Sequence, residues 1–228
     1  MAASRHTSDL LDIFDEDDCY QLLLECSQYV DVDELELLVR NTYCNELKVL
    51  HLNVQSLPAK FDNLMYLLEV APDIDILMFC ETHLNALNNA LFAIDGYSCF
   101  NAYRSIQKGG GVSIYVRNTL PAKVIPDLSV FIEGCFESLL VEVSIGTEKL
   151  FFCEIYRPPT INFDIFYHTL TESLMSLPQR GVLGMDHNIN LLSGYGDNRV
   201  LDFLSSLMGE GFSPHITKAT RVTTELIS

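Results

Sequence analysis

The sequence predicts an α/β fold built on a mixed sheet, and three observations lead there. Six short segments rich in β-branched, aromatic and aliphatic residues are interspersed with three amphipathic helical ones. Several neighbouring strand segments have no helix between them, which a purely doubly wound parallel sheet does not allow. The 228 residues are 48% hydrophobic, enough for one substantial core. No apolar run reaches the ~18 to 20 residues that span a bilayer, so a soluble chain with no membrane partner is expected.

The first 46 residues form an acidic lead-in. Apolar residues recur there at helical spacing (Leu10, Leu11, Phe14, then Leu22 to Leu24, then Leu35, Leu37, Leu38). Twelve acids stand against Arg5 and Arg40, well over half of the net charge of −17. A solvated leader and a dedicated binding arm both fit such a composition. From residue 47 the pattern changes to strands at 47–53, 74–80, 111–116, 138–143, 150–156 and 181–186. Helices fall at 58–70, 163–177 and 200–208, where Phe61, Leu64 and Leu68, and then Phe166, Leu170 and Leu174, line single faces. Pro58, Pro121, Pro126, Pro158, Pro159 and Pro214 punctuate the rest. Gly109 to Gly111 precede a strand and not a helix, so they predict a hairpin turn and not a phosphate cradle.

Composition excludes several classes. An acidic amino terminus is no secretory signal, so an intracellular site, nucleus or cytoplasm, is expected. Seven cysteines form an odd set without a C-x-x-C pair, which argues against a disulfide framework and against a zinc site recognisable by spacing. Cys80, Cys99 and Cys153 sit in apolar runs and read as core. The net charge leaves a thin basic supply for phosphate contacts: Arg104, Lys108, Arg117, Arg157 and Arg221.

The informative residues stand where apolar strands stop. LKVLHLN ends in Asn53, DILMFCE in Glu81, LFFCEIY in Tyr156, and GVLGMDHN in Asp186 and Asn188. Carboxyl ends of strands in open α/β folds converge on one rim, where ligand sites form. A single polar residue after a strand is usually a turn or cap residue, so the weight lies in the set. These types suit one chemistry. Mg²⁺ takes oxygen ligands and prefers one or two carboxylates together with water and phosphate, a role for Glu81. Asp186 is placed to orient or deprotonate a water, and Asn188 and Tyr156 to donate to a phosphate oxygen gaining charge.

The same segments resemble the endonuclease/exonuclease/phosphatase superfamily, in particular the apurinic-type endonuclease domain of non-LTR retrotransposons. LKVLHLNVQSLPAKFDNL is similar to its opening strand, FCETHL to its metal-binding Glu motif, GGGVSIYVRN to its glycine-rich hairpin, and IYRPP to its Tyr segment. GMDHNINLL is similar to its G-D-F-N motif and KATRVT to its Thr-Arg segment, in the same order over about 180 residues. The resemblance implies a four-layered sandwich of two mixed β-sheets flanked by helices, spanning 47–228 and lacking its last strands. It implies Mg²⁺-dependent (or Mn²⁺-dependent) nicking of DNA, upstream of a reverse transcriptase in the parent element. Asn53 and Glu81 would hold the metal and Tyr156 would contact the scissile phosphate. Asp186 would position the attacking water, Asn188 would stabilise the developing charge, and Thr220 and Arg221 would contact the DNA backbone. His83, just after the Glu motif, is a further DNA-contact candidate, with a plain surface histidine as its alternative.

Three departures from the pattern matter. Met185 replaces a glycine, which raises the prospect of crowding at the metal rim. His187 replaces an aromatic residue, and strand alternation turns it away from Asp186 and Asn188, so it stands in for a ring. The family's later Asp strand and Ser-Asp-His motif lie beyond Ser228, which predicts weak or no activity for the chain as it stands and a longer parent reading frame. Two further readings stay open: a phosphatase or phosphodiesterase of the same superfamily acting on lipid or small phosphate esters, and a catalytically dead interaction module.

Overall fold

A computed structural model describes residues 2–5, 32–41, 46–178, 180–191 and 198–216. The strands are β1 (Ala2–Arg5), β2 (Val49–Asn53), β3 (Ile76–Cys80), β4 (Tyr97–Ala102), β5 (Val112–Arg117) and β6 (Ala122–Val124). They continue with β7 (Phe131–Ile132), β8 (Phe136–Ile145), β9 (Glu148–Tyr156), β10 (Gly181–Asp186) and β11 (Phe212–Pro214). The helices are α1 (Val32–Asn41), α2 (Leu57–Val70), α3 (Phe163–Ser176) and α4 (Asn198–Gly209).

The described strands form two sheets. One runs β2-β3-β5-β4; the other runs β11-β1-β10-β9-β8-β6, with β7 also on β8. Each sheet is mixed. β2 and β3 are parallel while β5 is antiparallel to both β3 and β4, and β9 and β10 are parallel while β8 is antiparallel to β9. Both parallel pairs are joined through a helix, α2 in the first sheet and α3 in the second, as a parallel connection requires. The six strands and three helices expected from the sequence are present, with no end moved by more than two residues. Half-exposed β4 and the short strands β1, β6, β7 and β11 carry too little alternation to be read in advance.

Period-two alternation sorts the core into three bands. Ile76, Met78 and Cys80 of β3 and Val112, Ile114 and Val116 of β5 face Leu139, Val141 and Val143 of β8 and Phe152 of β9 in the space between the sheets. Leu77 and Phe79 point the other way, onto Leu57, Leu64 and Leu68 of α2, with Val39 of α1 in the same cluster. On the far side Cys153, Ile155, Leu183 and Met185 pack under Phe166, Leu170 and Leu174 of α3 and Phe203, Leu204 and Leu207 of α4. The order is therefore helix, sheet, sheet, helix: a four-layered sandwich. Each large side chain fully removed from water contributes about 1.5 to 3 kcal/mol, so these bands hold the two sheets in register at the rim.

Local signals fix the helices. Pro58 occupies the first turn of α2, where its missing N–H is no loss. Asn162 caps α3, its side chain accepting from the Asp164 N–H at 2.7 Å. The glycine run forms the β4–β5 loop as a hairpin connection, with Gly109, Gly110 and Gly111 all at positive φ. No described helix is long and apolar enough to cross a membrane. Cys80 and Cys153 are buried as expected, whereas Cys99 is only half-buried on β4.

Candidate active site

The carboxyl ends of β2, β3, β9 and β10 converge on one rim, and hydrogen bonds tie them across the two sheets. The Asn53 amide nitrogen donates to Glu81 Oε1 at 2.8 Å and to Asp186 Oδ2 at 2.5 Å, while Asn53 Oδ1 accepts from the Gln55 N–H at 3.0 Å. Three side chains from β2, β3 and β10, far apart in sequence, thus meet at a single amide. Tyr156 stands beside them on β9, buried and near Glu81. Burial, and then the neighbouring Glu81 carboxylate, push its hydroxyl well above the ordinary tyrosine range, so it remains a proton donor at neutral pH. Asn188 is exposed at the lip. Its backbone N–H meets Asp186 Oδ1 at 3.2 Å, and its amide nitrogen donates to the Arg157 carbonyl at 2.8 Å, which uses one of its two amide hydrogens.

The backbone is unusual here and nowhere else among the described residues. The non-glycine residues at positive φ are Gln55, Ser56, Glu81, His83 and Asn188. All five lie within three residues after the ends of β2, β3 and β10. Left-handed conformations cost free energy in ordinary residues and persist where the surroundings over-determine them, commonly at functional sites. Thr82 is fully buried between two of these residues. Its N–H and that of His83 donate to the Gly111 and Gly110 carbonyls, which pins the Glu81 turn to the glycine loop.

The donor set fits a hard divalent cation. Two carboxylates face one another through an amide, and no Lys or Arg among the described residues forms an ion pair with either. Mg²⁺ is typically held by one or two carboxylates, water and substrate phosphate. His83 is half-buried on the glycine-loop side, where its imidazole lies against Gly109. Thr220 and Arg221 lie outside the described residues.

One of the sequence expectations changes and another holds. Met185 does not crowd the rim. It is buried on the helix side of β10, because alternation places residues 183 and 185 there and residues 184 and 186 between the sheets. His187 does replace a ring, packing edge-on to Phe203 with centroids 5.5 Å apart and accepting from the Ile189 N–H at 3.0 Å through Nδ1. Burial lowers its pKa to about 4, so the imidazole is neutral.

The basic supply is also thinner than the sequence suggests. Arg157 is buried and donates to the carbonyls of His187, Asn188 and Ile161, so it clamps the Asp186–Asn188 turn from below. Arg117 lies at the opposite end of the sheet, bonded to the Pro72 and Ile74 carbonyls. Arg104 does approach the site, since its charge acts on Tyr156, but Nε is held 2.5 Å from Glu137. Glu137 is wholly buried opposite Tyr156 and also accepts the Gly111 and Gly134 N–H groups. Nothing in the sequence separated this carboxylate from an ordinary surface acid, because its partners come from loops whose course only the fold supplies.

No family model matches the sequence, and no curated protein does. Solved structures do. The endonuclease domain of TRAS1, a telomere-specific non-LTR retrotransposon, superposes with a TM-score of 0.57 at 16% identity over 73% of this chain and 71% of its own. An AP endonuclease from Archaeoglobus fulgidus gives 0.55 at 16% identity over 79% and 81%. The AP endonuclease LMAP from Leishmania major gives 0.53 at 14% identity over 86% and 78%. With its two mixed sheets, flanking helices and a polar rim joining them, the chain shares its fold with these endonuclease structures.

Proposed function

We propose that the chain is a divalent-metal-dependent phosphodiester hydrolase that nicks DNA, the endonuclease-like part of a non-LTR retroelement whose reverse transcriptase follows in the parent reading frame. The observation that carries this reading is the Asn53 amide, which joins Glu81 and Asp186 across two sheets at the rim. The likeness to the TRAS1 endonuclease domain supports the retroelement setting.

Asn53 and Glu81 would hold Mg²⁺, or Mn²⁺ in its place. A bound ion of this kind polarises a phosphoryl oxygen and offsets charge gained on the way to the transition state. Asp186 orients the attacking water and takes its proton, a task its half-buried position at the rim allows. The Tyr156 hydroxyl and the remaining amide hydrogen of Asn188 donate to non-bridging oxygens. Arg157 keeps Asn188 in reach by holding its carbonyl, and His83 and the glycine loop border the path of the backbone. For Thr220 and Arg221 the proposed role is contact with the DNA backbone, as the resemblance of KATRVT implies.

A second reading, hydrolysis of a small phosphate ester, is favoured by one observation: Arg104, Arg117 and Arg157 are committed to internal partners, so these three are not free for the phosphates of a long duplex. The test is Mg²⁺-dependent nicking of supercoiled plasmid by this chain and by the chain extended through its downstream reading frame, beside Glu81→Ala and Asp186→Ala. Nicking by the extended chain that is weak or absent in the chain as it stands, and that disappears in both variants, is the expected result. Turnover of a soluble phosphate ester without nicking favours the second reading, and inactivity of folded protein on both substrates leaves a binding module.

A further inference from the structure

Two residues below the rim the same strands build a second polar layer. On β2, His51 faces the inter-sheet space beneath Asn53; on β9, Glu154 lies beneath Tyr156; on β10, Gly184 lies beneath Asp186. Cys80, the last residue of β3, completes the group. His51 Nε2 is 3.0 Å from Glu154 Oε1, and one donor atom each from His51, Cys80 and Glu154 lies within 4.8 Å of the others. Glu154 is wholly buried, and its second oxygen, Oε2, has no hydrogen-bond partner. A Cβ at Gly184 would fall 2.4 Å from that oxygen and 2.7 Å from the His51 ring, so the absence of a side chain there is what gives the two groups room.

A fully buried carboxylate oxygen without a partner is costly unless something satisfies it. The surrounding donors are one imidazole nitrogen, one sulfur and carboxylate oxygens, which is the ligand chemistry of zinc and of similar borderline-soft divalent ions, not of Mg²⁺. Charge agrees as well. A thiolate, a carboxylate and a neutral imidazole around a divalent cation sum to zero, the condition under which a metal can sit in a core. Zn–N and Zn–S distances of about 2.0 to 2.3 Å require the donors to lie within roughly 4.5 Å of one another, close to the spread observed.

We infer that His51, Cys80 and Glu154 form a buried site for a zinc-like divalent ion, separate from the Mg²⁺ rim and placed between the two sheets as a cross-link. Binding takes a thiolate, so the Cys80 proton, directed weakly at the Leu52 carbonyl 3.9 Å away, is released to solvent as the metal–sulfur bond forms. The set escapes sequence rules because no two of its members are neighbours in the chain. Each stands just before a rim residue, His51 two before Asn53, Glu154 two before Tyr156, and Cys80 directly before Glu81.

The experiment is an optical titration of the metal-free full chain with Co²⁺, followed by competition with Zn²⁺. One equivalent of Co²⁺ is expected to give a sulfur-to-metal charge-transfer band that Zn²⁺ abolishes and Mg²⁺ does not. Cys80→Ala should remove the band, and the isosteric Glu154→Gln should weaken binding by at least the ~10- to 100-fold that loss of an outer-shell partner costs. Both variants are checked for native circular dichroism. Should Cys80→Ala fail to fold, Glu154→Gln carries the test through its affinity. No band in folded wild type, a band retained in Cys80→Ala, or an unchanged affinity in folded Glu154→Gln overturns the inference.

Discussion

The rim and the layer two residues beneath it are built from the same strands and carry similar groups, yet they differ in solvent and therefore in chemistry. At the rim, Glu81, Asp186 and Asn53 are half exposed and share one amide, an arrangement open to water and phosphate. One pleat down, Glu154 has no contact with solvent and pairs with the His51 imidazole beside a thiol. A pleat spans about 6.6 Å along a strand, so polar residues at every second position stack into layers of different dielectric. Oxygen donors kept near water suit a hard ion; nitrogen and sulfur donors kept dry suit a softer one.

The largest expected effect breaks the upper layer. In the chain extended through its downstream reading frame, Asp186→Asn should lower metal-dependent phosphodiester cleavage by about 10²- to 10⁴-fold while leaving the melting temperature close to that of wild type, read by steady-state kinetics beside thermal unfolding. The next separates the rim from the helix-side packing behind it. His187 is held neutral with its pKa lowered by burial from 6.5 to about 4. Its contribution is therefore complete above pH 6.5 and lost as pH falls through that window to about 4, a difference of about 3 kcal/mol. His187→Phe keeps the ring contact with Phe203 and should remove that component, so wild type and variant should diverge in unfolding free energy between pH 6.5 and 4.

A smaller effect is expected in the lower layer. Gly184→Ala puts a methyl group against Glu154, His51 and Met78, all closely packed side chains, and should cost about 1 to 3 kcal/mol in a denaturant titration. The smallest prediction is a control remote from both layers. Asn162→Ala removes the α3 cap and should cost about 1 kcal/mol with no change in cleavage.

The upper layer was legible in the sequence and the lower one was not. Asn53, Glu81, Tyr156 and Asp186 announce themselves because each is the polar residue at which an apolar strand stops. His51 and Glu154 sit inside their strands, where a polar residue in an alternating segment reads as solvent-facing. Only the stacking of two sheets turns that face inward. The helices were readable for the opposite reason, since Leu64, Leu68, Leu170 and Leu174 repeat at helical spacing whatever they pack against. Met185 illustrates the limit of motif comparison: its size raised a concern about the rim, and one step of alternation places it among the helices. The partners of Arg104 and Arg157 were beyond reach of any local rule, because a guanidinium bound to loop carbonyls or a buried acid looks in sequence like one free for phosphate.

The most direct test of this division is a Mn²⁺ titration followed by electron paramagnetic resonance on the wild-type chain, Glu81→Gln and Glu154→Gln. Mn²⁺ binding that is lost with Glu81→Gln and kept with Glu154→Gln is the predicted result, placing the hard ion at the rim. Binding untouched by Glu81→Gln, or abolished by Glu154→Gln in a folded protein, would contradict it.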